Sequence, residues 1–297
     1  MFSLILTIIT IIISNYTNII LITKIFSMKN SEKEIYFHVG LAKTGSTFLQ
    51  NNFFPKLKDI KYISTHKYWR CINIIKRTNY KSYLISREFD RQFEFEVKKI
   101  LKEFPQTKII IVFRKHDKWI SSQFKRYSKN GYHWSFEKFY NNDNTGFWRK
   151  EDMLYSIKMD IIKKYSNNKP LVLRFEELKE NPYSYLSKIS NYTGSRYSKS
   201  DISLNVVHGS WSEKQLIFLK KFCSIFKKNP PEYYANNKIL HWLLYRPWWL
   251  LFHFVMYFAY FLPRSYIIKK PLIDKEYLSK SMKKYENDWE KILSISD

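Results

Sequence analysis

Apolar residues fall in two alternating patterns along most of this chain. Short, nearly continuous apolar runs bounded by polar residues are typical of strands buried in a parallel sheet. Longer stretches with apolar residues three or four positions apart follow these runs and predict helices. The predicted strands are residues 35–39, 82–86, 108–113 and 171–175, and the predicted helices are residues 47–57, 93–104, 118–128, 152–165 and 182–192.

Strands that alternate with helices predict an α/β fold with a central parallel sheet flanked by helices in three layers. No internal repeat and no low-complexity linker divides the chain after its first 32 residues. We therefore expect residues 28–297 to form one domain, which ends in a helical region from about residue 213.

Residues 2–23 carry no charge and are long enough, at ~1.5 Å per residue, to cross a hydrocarbon core of ~30 Å. Residues 1–27 are therefore predicted to form an N-terminal membrane anchor. Lys24, Lys29 and Lys33 follow the segment and nothing basic precedes it, which places the main domain on the cytoplasmic side. The alternatives are an interfacial segment, or a translation start at Met28 that leaves a cytoplasmic protein.

A second apolar run, residues 247–263, lies between Arg246 and Arg264. Its length is marginal for a membrane span, so a core or interfacial helix is predicted, with direct membrane contact as the alternative.

The net charge of +25 indicates an anionic partner or substrate. No arginine-rich tract, zinc finger or RNA-binding signature accompanies the charge, so we expect no nucleic acid partner. Cys71 and Cys223 cannot make a disulfide framework and lack the close spacing of a zinc site, so we expect no structural metal.

Residues 38–50 read HVGLAKTGSTFLQ and join the first predicted strand to a helix. Gly40 and Gly45 keep the glycine spacing of a Walker A loop, but Lys43 precedes the second glycine instead of following it. Such a turn directs backbone N–H groups and a helix N-terminus at an anion. Lys43 adds a positive charge, and Ser46 and Thr47 add hydroxyl donors.

The strand at residues 108–113 ends in Arg114, where a magnesium-dependent P-loop enzyme requires a carboxylate. Ser122 follows eight residues later on the next predicted helix. An arginine at a strand end and a serine on the following helix can bracket one phosphate. Two phosphate sites without a metal indicate a bisphosphorylated nucleotide.

With these motifs the chain resembles the family of sulfotransferases that use 3′-phosphoadenosine 5′-phosphosulfate (PAPS), and its bacterial members in particular. GLAKTGSTFLQ resembles the 5′-phosphosulfate loop of the family, and FRKHDKWISSQFKRY resembles its 3′-phosphate element. The family more often has proline or histidine in place of Ala42 and threonine in place of Ser46. The resemblance implies a P-loop-like fold and PAPS as co-substrate, bound by Lys43, Thr44, Gly45, Ser46, Thr47, Arg114 and Ser122.

A hydroxyl acceptor needs a general base. Some glycan sulfotransferases carry a glutamate where this chain has Asn51, which cannot accept the proton. Glu88 follows the strand at residues 82–86 and would emerge at the carboxyl edge of the sheet, so it is our candidate. The alternative for Glu88 is a structural carboxylate paired with Arg87 or Arg91, and His66 is the rival base.

The sequence therefore predicts an enzyme that moves a sulfuryl group from PAPS to a hydroxyl or amine of an acceptor, expected to be a glycan made near a membrane. Lys43 is expected to stabilise the charge that develops on the bridging oxygen. Two alternatives remain open. One is a non-catalytic membrane-associated protein that binds anionic lipid or glycan through its lysines, and the other is a degenerate P-loop kinase.

Overall fold

The computed structural model describes residues 33–204, 211–226 and 238–296. Within these ranges five strands form one parallel sheet in the order β2-β3-β1-β4-β5. They are β1 (Glu34–Gly40), β2 (Lys61–Ile63), β3 (Ser82–Glu88), β4 (Lys108–Phe113) and β5 (Leu171–Arg174). The predicted α/β fold with a central parallel sheet is confirmed. The edge strand β2 was not predicted, because three residues are too few to show a hydrophobic pattern.

Helices cover both faces of the sheet and form the C-terminal region. The α-helices are Ser46–Phe48, Cys71–Arg77, Phe93–Glu103, His116–Lys129, Phe136–Phe139, Lys150–Met153, Tyr155–Tyr165, Phe175–Glu180, Pro182–Thr193, Glu213–Ile225, Lys238–Phe261, Arg264–Ile267, Lys275–Met282 and Glu286–Ile295. Short 3₁₀ helices span Phe54–Lys56, Thr65–Arg70, Lys199–Asp201 and Lys283–Tyr285.

Two predicted helices differ from the structure. The helix expected at residues 47–57 starts as α-helix, continues as a π-helix over Leu49–Phe53 and ends as 3₁₀ helix. The helix expected at residues 152–165 breaks at Leu154, whose backbone is extended. The break has a tertiary cause, because the Tyr155 and Ser156 N–H groups donate to the carboxylate of Asp288 at 2.8 and 3.0 Å.

The strands are buried on both faces, and their alternate residues enter two separate apolar clusters. In β4, Ile109 and Ile111 pack with the helices Phe93–Glu103 and His116–Lys129. Ile110 and Val112 face the other cluster, which includes Phe54 and Leu186 from helical segments on the opposite side. The sheet is therefore the middle of three layers.

β1 lies at the centre of the sheet, hydrogen-bonded to β3 on one side and to β4 on the other. The chain leaves β1 toward β2 and leaves β4 toward β5, so the connections after these two adjacent strands run in opposite directions. In open α/β sheets, ligands bind at the carboxyl ends of strands where the order reverses in this way. The loops after β1 and β4 carry Lys43 and Arg114.

The C-terminal helix Glu286–Ile295 is tied to the sheet layers by one buried carboxylate. Asp288 accepts hydrogen bonds from the Tyr155 and Ser156 N–H groups and lies 3.2 Å from Nε2 of His116. The His116 ring stacks between Tyr155 and Tyr285. Burial raises the pKa of Asp288, but the hydrogen bonds from His116, Ser156 and the backbone outweigh it and hold the pKa at about 2.

Among the described residues, no helix is both long enough and apolar enough to span a membrane. The anchor predicted at residues 1–27 lies outside the described part of the chain.

Replacing Asp288 by alanine should lower the free energy of unfolding by roughly 3 kcal/mol, because three buried donors lose a charged acceptor. Urea unfolding at pH 7 measures the loss. The pKa of Asp288 is held below its usual 3.8, so the stability it contributes is present above that value and declines as the pH falls toward 2. Glu290→Ala, an exposed position on the same helix, is the control. Equal losses in both variants would contradict the assignment.

Candidate active site

Side chains from neighbouring elements hold the loop between β1 and the helix Ser46–Phe48 in place through hydrogen bonds to its backbone. The Ala42 N–H donates to Oδ1 of Asp90 at 3.0 Å, and the Ala42 carbonyl accepts from Nε1 of Trp119 at 2.9 Å. The next carbonyl, of Lys43, accepts from the Arg114 guanidinium at 3.1 Å. Residues after β3 and β4 therefore fix a loop that follows β1.

Two left-handed residues shape the turn, Lys43 at φ 72° and Gly45 at φ 88°. Left-handed backbone is unfavourable for a lysine, and residues held this way cluster at functional sites. At Gly45 there is also no room for a side chain, because an added Cβ would lie 2.9 Å from ring carbons of Phe175. The glycine is required by the turn and by the packing of Phe175.

The hydroxyl groups of the loop have different environments. Thr44 is fully buried and donates to the Leu41 carbonyl at 2.7 Å, so a ligand contact from Thr44 is left to its backbone N–H. Ser46 is buried with its Oγ 3.5 Å from Oγ1 of Thr44, and it hydrogen-bonds the carboxylate of Glu88. Thr47 is exposed at the start of the helix.

Glu88 is the last residue of β3 and pairs in register with Gly40, the last residue of β1. Its carboxylate therefore emerges beside the loop. Burial raises the pKa of Glu88, and the Ser46 hydroxyl with the charges of Arg126 and Lys43 partly opposes this rise.

The two arginines that were the expected structural partners of Glu88 have other contacts. Arg87 donates to the Thr65 carbonyl at 3.4 Å and lies over the Trp69 ring. Arg91 donates to the Phe147 carbonyl and lies 3.3 Å from the carboxylate of Asp152. The groups that act on Glu88 instead belong to the loop and to the helix His116–Lys129.

Arg114 lies over the ring of Phe175, 4.7 Å from its centroid, beside the carboxylate of Glu176. Burial lowers the pKa of the Arg114 guanidinium, and the negative charge of Glu176 opposes the fall. Within the described ranges, its buried Nε has no hydrogen-bond partner. A half-buried guanidinium with an unused donor can bind an anion.

Ser122 lies half-buried on the helix that follows β4. One turn of a helix brings Trp119, Ser122, Gln123 and Arg126 to one side. That side faces the loop, because Trp119 and Gln123 both donate to the Ala42 carbonyl. Trp119 is fully buried in this contact, so it is part of the core and is not available to stack on a nucleotide base.

The loop is surrounded by positive charge. Partial burial lowers the pKa of Lys43, and the nearby cations Arg126, Lys129 and Arg114 lower it further, while Glu88 opposes them. Several positive charges that repel one another in this way favour the binding of a ligand with several negative charges.

His66 lies exposed on the 3₁₀ turn that follows the edge strand β2. β3 separates β2 from β1, so His66 stands one strand farther from the loop than Glu88 does. His38, in β1, is fully buried with Nδ1 2.8 Å from Oγ of Ser86, and burial lowers its pKa to about 3. A neutral histidine inside the sheet serves the core.

A groove with aromatic and cationic walls opens beyond Asp90. We call it the Arg91 groove; it encloses about 560 Å³. Asp90 joins it to the loop, because this carboxylate accepts from the Ala42 N–H and lies 3.5 Å from the Arg126 guanidinium. The groove is lined by Arg91, Trp134, Lys138, Thr145, Gly146, Phe147, Arg149 and Asp152.

A cavity of about 860 Å³ borders the helix His116–Lys129 at Ser121 and Lys125. At 100° per residue these positions lie opposite Trp119 and Gln123, which face the loop. The cavity is therefore separate from the candidate site. In the described part of the chain, no group of three or more His, Cys, Asp or Glu residues is arranged to hold a metal ion.

The contacts of Asp90, Trp119 and Gln123 with the loop were not predicted from the sequence. Asp90 carried one signal, since it lies two residues after Glu88 at the end of a predicted strand. His116 lies within the segment that resembles the 3′-phosphate element, but its Nε2 is 3.2 Å from the carboxylate of Asp288.

A sequence model described as the sulfotransferase family matches residues 62–199, slightly under half of the chain. The match confirms the resemblance to sulfotransferases indicated by the motifs, and it includes Glu88, Arg114 and Ser122. No match is found among curated proteins.

Two solved structures are similar to this chain. One is a sulfotransferase from Alicyclobacillus acidocaldarius, 14% identical over 66% of this chain and 92% of that chain, with a TM-score of 0.44. The other is mouse sulfotransferase SULT7A1 complexed with PAP, 16% identical over 92% of this chain and 94% of that chain, with a TM-score of 0.42. These likenesses are too distant to bear on activity.

Replacing Gly45 by alanine should destabilise the protein more than the same change at Gly194. Both glycines are left-handed, at φ 88° and 61°, so the backbone strain is similar, but a Cβ at Gly194 meets nothing within 4 Å. We expect a loss of roughly 1 kcal/mol at Gly194 and clearly more at Gly45, measured by urea unfolding. Phe175→Leu should recover part of the Gly45→Ala loss. Equal losses at the two glycines would rule out the steric account.

Proposed function

We propose that this protein is a PAPS-dependent sulfotransferase that moves a sulfuryl group to a hydroxyl of an acceptor. The observation that carries the proposal is the hydrogen bond from Arg114 to the Lys43 carbonyl. It joins a lysine-bearing anion loop to a half-buried arginine whose Nε has no partner among the described residues, which suits the two phosphates of adenosine 3′,5′-bisphosphate. The sulfotransferase family match over residues 62–199 agrees with this reading.

In the proposed binding mode, Lys43, the backbone of Thr44 and Gly45, and the Ser46 and Thr47 region hold the 5′-phosphosulfate. Arg114 and Ser122 hold the 3′-phosphate. Glu176 would position Arg114, since it also accepts from the Lys115 N–H at 3.1 Å and so stays beside the guanidinium.

In the proposed reaction, the acceptor oxygen attacks sulfur, and the bond between sulfur and the bridging oxygen breaks. The acceptor proton passes to the Glu88 carboxylate, and adenosine 3′,5′-bisphosphate leaves with the bridging oxygen. Lys43 stabilises the charge that develops on that oxygen, and a preorganised donor of this kind is worth ~3 to 4 kcal/mol. The register of β3 with β1, which pairs Glu88 with Gly40 at the start of the loop, supports this role for Glu88.

We propose that the acceptor is a glycan and that it binds in the Arg91 groove. Trp134 and Phe147 give the groove an apolar aromatic wall against which a sugar could pack, and Arg91, Lys138 and Arg149 offer charged donors to its hydroxyl or acidic groups. The groove begins one residue after Asp90, whose carboxylate holds the loop. An acceptor lying there would reach toward Glu88.

Binding of two nucleotides tests the donor site. Arg114→Ala should weaken adenosine 3′,5′-bisphosphate by roughly 10- to 100-fold, since a hydrogen-bonded charge is worth about 1.5–3 kcal/mol. Adenosine 5′-monophosphate, which lacks the 3′-phosphate, should lose little affinity. Isothermal titration of both ligands gives the comparison, with Lys163→Ala as an exposed control.

Equal losses for the two nucleotides would mean that Arg114 acts only by holding the loop. Stronger thermal stabilisation by magnesium ATP than by the bisphosphate would favour a kinase instead. If the affinity for liposomes or glycan is unchanged by either nucleotide and by Arg114→Ala, a non-catalytic binding protein is favoured.

Replacing Glu88 by glutamine should lower turnover by ~10² to 10⁴, measured as transfer of ³⁵S from PAPS to an extracted glycan fraction. Burial holds the pKa of Glu88 above its usual 4.5, so wild-type turnover should rise with pH through a value above 4.5. The variant should lose this acidic limb of the pH–rate profile.

The raised pKa also means that ionised Glu88 costs stability at neutral pH, so the Glu88→Gln variant should unfold at the same or a higher temperature at pH 7. Loss of the limb in His66→Ala, with retention in Glu88→Gln, would assign the base to His66.

A further inference from the structure

The helix Lys238–Phe261 has two apolar faces, and among the described residues only one of them packs against the rest of the protein. Phe252, Val255, Met256 and Ala259 are at most 5% exposed and pack toward the helix Glu213–Ile225. The Met256 carbonyl accepts from Nε2 of Gln215 at 3.1 Å. These contacts fix the rotation of the helix about its axis, so its opposite face points away from the rest of the described protein.

The outward face carries large apolar side chains at helical spacing. Six of them lie within about 100° of one another around the axis and are 50–81% exposed. They are Leu243, Leu250, Phe254, Tyr257, Phe258 and Phe261. We call this row the outer stripe. Contiguous exposed apolar patches of this kind mark a protein or membrane interaction site, whereas single exposed apolar residues do not.

The charges around the outer stripe are of one sign. Residues 238–271 contain five Lys or Arg residues and no Asp or Glu. Arg246 is exposed within the helix, with its guanidinium over the ring of Trp249. Arg264, Lys269 and Lys270 are exposed just beyond its C-terminal end. Cations at the middle and end of an apolar row complement anionic headgroups above an acyl layer.

The aromatic content points to the same partner. Tyr257, Tyr260 and Tyr266 are 61–78% exposed, and each has an apolar ring and a polar hydroxyl. Such side chains are enriched where one end of the ring is wet and the other is in lipid. A protein partner would have to supply acidic groups around an apolar cleft, whereas an anionic membrane surface supplies both features everywhere.

We infer that the outer stripe docks the protein onto an anionic lipid bilayer, with the helix Lys238–Phe261 lying in the interface plane. Phe254, Phe258 and Phe261 enter the acyl boundary, and Arg246, Arg264 and Lys269 contact headgroup phosphates. This docking is independent of the proposed sulfuryl transfer.

Site-specific fluorescence on the full chain tests the docking. Phe258→Cys on the outer stripe and Glu180→Cys on the other face of the sheet are each labelled with an environment-sensitive dye, since the native Cys71 and Cys223 are buried. The protein is mixed with vesicles of phosphatidylcholine containing phosphatidylglycerol, with and without doxyl-labelled acyl chains. We expect doxyl quenching several-fold greater at position 258 than at position 180.

The contribution of charge is tested with the same label. Quenching at position 258 should fall in pure phosphatidylcholine, and in ~1 M salt, where the screening length drops to ~3 Å. Lys269→Gln with Lys270→Gln should also reduce it. Because every sample contains residues 1–27, an N-terminal anchor cannot produce the difference between the two labels.

Two results would overturn the inference. An apolar signal at position 258 without doxyl quenching means that protein covers the stripe; dependence on protein concentration then identifies a second copy, and independence identifies another segment of this chain. A water-like signal at position 258 with vesicles present means that the stripe does not contact lipid. Unchanged thermal unfolding of the labelled variants shows that the fold is intact.

Discussion

The central position of β1 between β3 and β4 is the constraint on which the candidate site depends. Parallel strands end at the same edge, so the loop after β1 receives Glu88 from one neighbour and Arg114 from the other. The register pairs Gly40 with Glu88, which leaves the carboxylate beside the loop with no connecting segment between them. A slip of one residue in that register would turn Glu88 to the other face of the sheet.

The same arrangement brings together groups that the fold alone does not favour. Lys43, Arg114, Arg126 and Lys129 crowd one loop, and partial burial of Glu88 raises its pKa. Lys43 and Gly45 are both held in left-handed backbone. These strains are balanced by contacts elsewhere, such as the Trp119 and Asp90 bonds to Ala42. Binding of an anion at the loop should relieve the repulsion and stabilise the protein by mass action.

The proposed acceptor groove and the proposed docking helix are neighbours in the fold. Gly131 packs directly against the ring of Phe252, with no room for a side chain, and Trp134 of the Arg91 groove follows three residues later. Because Phe252 faces away from the outer stripe, docking would leave the groove on the protein side of this helix.

The sequence by itself determined the alternation of strands and helices, the lysine loop and the arginine at the end of β4, because hydrophobic period and turn chemistry are local properties. It left Glu88 open between a general base and a carboxylate paired with Arg87 or Arg91, and in the tertiary structure both arginines contact other groups. It also left residues 247–263 open between core and interface, and packing buries one face of this helix and leaves the opposite face exposed. These outcomes depend on contacts between elements that are distant in sequence, which a local pattern does not show. The break at Leu154 has the same cause, because Asp288, far along the chain, accepts the hydrogen bond from the Tyr155 N–H.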